Sequence, residues 1–103
     1  MDNPKIVTIT HFGKSVTVSV HIERYWHGNG IFVQLVDEVR GEDYATVSVN
    51  ARASLAADEF AFKTYSENEG LLEALLAAGV VETTGRFVEL GFAGPQPICR
   101  LLR

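Results

Sequence analysis

Apolar and polar positions alternate through the first sixty residues, and this two-residue period predicts strands. Ile6 to Thr10 and Val16 to Ile22 are β-branched runs, with Phe12-Gly13 between them as a tight turn. Setting His11 opposite Lys14 pairs Ile9 with Val16 and Val7 with Val18. Val7, Ile9, Val16, Val18, Val20 and Ile22 then share one face, while Thr8, Thr10, Ser15, Thr17, Ser19 and His21 share the other. A one-residue slip would mix the faces, so this register is favoured. Phe-Gly is not the preferred pair for a two-residue turn, which leaves a bulged turn open. Asn29-Gly30 is a stronger hairpin signal, and Ile31 to Val36 reads as the next strand. After a turn over Arg40-Gly41-Glu42-Asp43, Tyr44 to Asn50 alternates, with Ala45, Val47 and Val49 inward and Thr46, Ser48 and Asn50 outward.

The period changes at Ser66. Leu71, Leu72, Leu75 and Leu76 form one apolar stripe at helical spacing, which predicts a helix from Ser66 to Gly79. Ser66 suits an N-cap, Glu69 completes a capping box, and Glu67, Glu69 and Glu73 lie near the positive end of the dipole. Gly79 supplies the left-handed residue that ends the run. Leu72, Leu75 and Leu76 are expected against Val18, Val47 and Val49. Ala51 to Asp58 reads either way, and Glu59 to Lys63 reads as a short strand with Phe60 and Phe62 on one side. Val80-Val81 and Arg86 to Phe92 read as strands about a Thr84-Gly85 turn. Gly94-Pro95-Gln96-Pro97 reads as a break, and Ile98 to Leu102 as an edge. The expected fold is one α+β domain over residues 1–103: an antiparallel meander of five to seven strands with one principal helix packed on one face.

Composition adds bounds to this picture. The chain has 103 residues, 47% of them hydrophobic, and the area scaling for that size buries about two-thirds of the surface, enough for one core. Net charge is −4, from 13 acidic and 9 basic residues, and each half of the sequence carries an excess of two acids. With no basic stripe in the sequence, direct sequence-specific nucleic-acid binding is not expected. Cys99 is the single cysteine, so no internal disulfide is expected. No apolar run approaches the roughly 20 residues that span a bilayer, and no leader pattern opens the chain, so a cytoplasmic protein with no membrane partner is expected.

Candidate chemistry is sparse. His11, His21 and His27 lack metal-ligand spacing and read as solvated strand and loop residues, so no metal is expected. Cys99 reads as a packed thiol. No phosphate-loop or dinucleotide fingerprint appears, so no cofactor is expected. Glu69 and Glu73 have acid–base spacing, but a solvated helix face is the simpler reading. Neither carboxylate has an intrahelical cation, so together they could meet a basic partner. The Tyr25-Trp26-His27 turn, with Asn29, is the second candidate surface, because tryptophan and tyrosine dominate interface hot spots. The competing role for Trp26 is to cap the core.

Tyr44-Ala45-Thr46-Val47-Ser48-Val49-Asn50 resembles the Tyr-x-x-hydrophobic-Thr/Ser-Val-Asn signature of a small bacterial family, a domain of unknown function. Asp58-Glu59-Phe60, Tyr65-Ser66-Glu67-Asn68, Ala78-Gly79, Thr84-Gly85, Gly91-Phe92 and Pro97-Ile98-Cys99-Arg100-Leu101 match it in order, so the resemblance covers roughly residues 41–102. It implies an accessory protein of a mobile genetic element, carried by plasmids, integrative elements and phages, in the size range of anti-CRISPR and other anti-defence proteins. The family has no established catalytic residues, so it supplies none here. The expected function is a non-enzymatic protein-interaction module that inhibits a host defence system by binding a host protein or complex. The alternative is a small ligand-binding or enzymatic domain with a pocket between the sheet and residues 94–97.

Overall fold

The computed structural model describes residues 4–24, 30–51 and 53–102. The described residues form two four-stranded antiparallel sheets and one α-helix. Where a single meander of five to seven strands was expected, eight strands are shared between two sheets, and only the first sheet is a meander: β1 (Lys5–His11), β2 (Lys14–Arg24), β3 (Ile31–Asp37) and β4 (Glu42–Thr46). Its first hairpin has the anticipated register, His11 with Lys14, Ile9 with Val16 and Val7 with Val18. The second sheet contains β5 (Ser48–Val49), β6 (Glu59–Phe62), β7 (Val81–Glu89) and β8 (Pro95–Leu101), in the order β5-β6-β8-β7.

The anticipated strand from Tyr44 to Asn50 is divided between the sheets. Val47 donates its N–H to Val33 O and accepts from Lys63 N–H, so the chain leaves β3 and joins β6 at this residue. Ser48 Oγ accepts the Val33 N–H at 2.9 Å. A polar side chain thus replaces a ladder partner at the crossing, and Ser48 is buried rather than outward. The sheets join through this strand into one curled wall, with β1 and β7 at its two ends. Helix α1 (Leu71–Ala77) touches both of those strands and closes the wall on one core, which includes Ile9, Val33, Leu35, Phe62 and Leu75.

The helix is shorter than its sequence pattern. Ser66 does not cap it; residues Ser66–Asn68 form a separate 3₁₀ turn, and Gly70, at φ 79°, takes the N-cap position. Tertiary bonds outcompete the capping box. Asn68 Nδ2 donates to Thr46 O and Lys63 O, and Glu69 O accepts from His11. The C-terminus is as anticipated: Gly79 donates to Leu76 O and Val80 to Leu75 O, the paired bonds of a Schellman motif. Leu71, Ala74 and Leu75 form the buried face, whereas Leu76 is 39% exposed and Val49 only half-buried. The buried stripe is therefore rotated from the one expected.

Three further readings change. Thr84-Gly85 is a bulge within β7, not a turn: Thr83 pairs with Cys99 and Phe87 with Pro97, so three residues oppose Ile98. β7 ends at Glu89, and residues 91–93 form a 3₁₀ turn. Pro95 and Pro97 belong to β8, an inner strand of the sheet. Both prolines lie beyond the last β6–β8 pair, Ala61 with Ile98, so neither removes a bond from that ladder. There the Gln96 side chain replaces it, accepting from Thr64 N–H and Oγ–H and donating to Ala93 O. Residues 53–58 have no regular structure and are held by Glu59, which accepts from Ala56 N–H, and by Arg86, which donates to Ser54 O.

Candidate functional site: an acidic end with an exposed aromatic

The β1–β2 turn is a two-residue type I′ turn, since Phe12 and Gly13 have φ of 54° and 73°. Asparagine-glycine suits this turn because both positions need positive φ. Phenylalanine is strained there by its Cβ, and its side chain is 68% exposed. One face of the ring stacks on His11, with centroids 4.1 Å apart.

His11 is buried, contrary to the solvated position expected of it. Its strand parity puts it on the same face as Ile9, and the core supplies two partners. Nε2 lies 2.8 Å from Glu69 O and Nδ1 2.6 Å from Tyr44 Oη. A carbonyl only accepts, so Nε2 carries a hydrogen, and in the neutral ring Nδ1 accepts from the Tyr44 hydroxyl. Tyr44 reaches His11 because the β3–β4 register shifts between Leu35 and Val36 and leaves Tyr44 as the extra, bulged residue. Burial first, and the Asp37 carboxylate second, push the Tyr44 phenol above its ordinary range. This arrangement locks both ring nitrogens of His11 and makes it a fixed support for Phe12.

The β3–β4 turn lies at the same end of the sheet. Glu38 N–H donates to Thr17 O, Asp37 Oδ1 accepts from the Val39 and Arg40 amides, and the Val39 side chain is 87% exposed. Asp37, Glu38, Glu42, Asp43, Glu69 and Glu73 therefore gather around this end with Lys14 and Arg40. The remaining 7 of 13 acids and 7 of 9 bases balance, so this group accounts for the net charge of −4. Dividing the sequence into halves conceals this, because the group draws on both.

Glu69 and Glu73 are both exposed near this end, but not as one helix face. Glu69 precedes the helix, whereas Glu73 is in its first turn. Tyr25, Trp26, His27 and Asn29 lie outside the described residues; Arg24, which leads into them, is at the end of β2 opposite Phe12. The sequence reading missed Phe12 as a site residue. The available signal was a bulky aromatic where a hairpin turn calls for Asn or Gly.

Elsewhere, groups with chemical potential are committed to the fold. Cys99 is buried, and burial pushes its thiol up to about 12. Ser19 Oγ and His21 Nε2 lie 2.8 Å apart, but Ser19 is only 2% exposed. Glu59 is buried beneath Arg86 and Arg100, and the Arg86 hydrogen bond, followed by the Ala56 amide, holds its carboxyl below the usual range. Among the described residues, no group of three or more His, Cys, Asp or Glu could hold a metal ion, and no helix is long and apolar enough to cross a membrane. The segment assigned to a pocket loop, residues 94–97, is largely strand, with the Gln96 amide engaged. Comparison with family models, curated proteins and solved structures finds no match to this chain.

Proposed function

We propose that this chain is a non-enzymatic, cytoplasmic protein-interaction module of a mobile genetic element, which binds a host protein or complex and thereby inhibits a host defence system. The observation that supports the binding reading is the coincidence of exposed Phe12 and Val39 with the carboxylates that account for the net charge. Desolvated aromatic anchors supply interface energy, while surrounding charge steers association and selects the partner. The acidity favours a basic protein surface over a phosphate backbone. The mobile-element context rests on the sequence resemblance over residues 41–102, and Tyr25, Trp26, His27 and Asn29 remain a proposed second contact.

The test is affinity capture from a host carrying defence systems, using the wild type, Phe12→Ala, Glu69→Lys/Glu73→Lys and Trp26→Ala in parallel. Wild type should retain a stoichiometric protein, and Phe12→Ala should weaken its binding by about 2 kcal/mol, as loss of a hot spot does. The paired lysines should mainly slow association. Equal capture by every variant would refute the assigned surfaces, and a co-purifying small molecule in place of a protein would favour a ligand-binding domain.

A further inference from the structure

The open face of Phe12 defines what its partner must bring. We propose that it receives an arginine side chain of the partner, with the guanidinium flat on the ring and its N–H groups directed to the Glu69 carboxylate. This rests on reading the acidic end as the partner surface, and it specifies the chemistry of that surface.

Three observations lead there. His11 covers one ring face at an interplanar angle of 29°, and the side chain remains 68% exposed. The stack also holds the ring in place, because both nitrogens of His11 are bonded within the protein. Glu69 is fixed beside this stack, since its carbonyl accepts from the same imidazole, and its side chain is exposed. An aromatic face beside carboxylates attracts a cation. Arginine suits it better than lysine, because guanidinium is planar, weakly hydrated and able to stack while donating to a carboxylate. Lys14, which pairs with His11 across the ladder, is the one base on the turn, and the six nearby carboxylates outweigh it and Arg40. A purely apolar partner would leave these carboxylates facing uncompensated surface.

The probes are N-acetyl-arginine amide, N-acetyl-lysine amide and N-acetyl-citrulline amide, titrated into isotopically labelled full-length protein and followed by amide chemical shifts. Arginine amide should move the His11, Phe12, Gly13 and Glu69 signals saturably, binding about fivefold tighter than lysine amide. Citrulline amide, which keeps the shape without the charge, should move them little. Phe12→Leu should abolish the preference for arginine over lysine. Phe12→Asn, which suits the turn, gives the same test without strain. Glu69→Gln should weaken arginine binding while leaving the hairpin signals in place. Equal titration by arginine and lysine, or an arginine preference that survives both Phe12 variants, would overturn the proposal. Capture of a protein partner through Phe12 without an arginine preference would sink this inference alone and leave the interaction reading standing.

Discussion

Tyr44→Phe removes one oxygen and leaves the ring, so it isolates the bond that braces the acidic end. In the neutral imidazole, His11 Nε2–H donates to Glu69 O at 2.8 Å, and Nδ1 depends on the Tyr44 hydroxyl at 2.6 Å. Without that hydroxyl, the buried Nδ1 has no donor. The lost bond costs about 1 kcal/mol net, and the stranded acceptor adds up to about 2 kcal/mol, giving roughly 1–3 kcal/mol in all. Packing contributes little because the ring is retained. For a domain of this size, about 4–8 °C of melting temperature accompanies each kcal/mol, so a fall of roughly 5–20 °C is expected. Urea denaturation with an unchanged slope is the direct assay. Thr17→Val is the control; it removes a hydroxyl from the exposed Thr8–Thr17 pair, 2.9 Å apart, and should change stability by less than about 0.5 kcal/mol. A Tyr44→Phe cost no greater than this control would refute the derived pairing and the rigid support it gives Phe12. A double-mutant cycle with His11→Ala should recover a coupling of about 1 kcal/mol.

Other consequences concern the core and its ionisable groups. Leu75→Ala should cost about 2–5 kcal/mol in denaturant, because Leu75 is fully buried, whereas Leu76→Ala should cost less than about 1 kcal/mol. Glu59 has a depressed carboxyl pKa in the folded state, so its stabilising effect is present above the unfolded value of about 4.3 and is lost as pH falls through the lower folded value. The stability gap between wild type and Glu59→Gln should therefore narrow from pH 7 to pH 3, and a constant gap would contradict the Arg86 pairing. Cys99 should resist a thiol reagent in the native protein and react in step with global unfolding; rapid native labelling would place it at the surface.

Local signals were enough for the first hairpin. Period-two alternation over β1 and β2, with a two-residue turn between them, favours the observed register, because a single-residue slip would mix the faces. Gly79 likewise announced the helix end, because a left-handed residue after an apolar stripe is a local requirement. The helix start was not decided locally. Ser66 and Glu69 satisfy a capping box in sequence, but Asn68 and the Glu69 carbonyl find partners across the fold, at Thr46, Lys63 and His11. Strand 44–50 alternates without interruption, so its division at Val47 depends on which neighbour each backbone group meets. Pro95 and Pro97 argued against an inner strand, but β6 ends before reaching them. The candidate site was legible only in fragments. Sequence alone supplied an odd turn residue in Phe12, two carboxylates at 69 and 73, and an even charge excess in each half. Only the curled sheet brings the β1–β2 turn, the β3–β4 turn and the entry to α1 to one end, because charge clustering depends on distance through space and not along the chain.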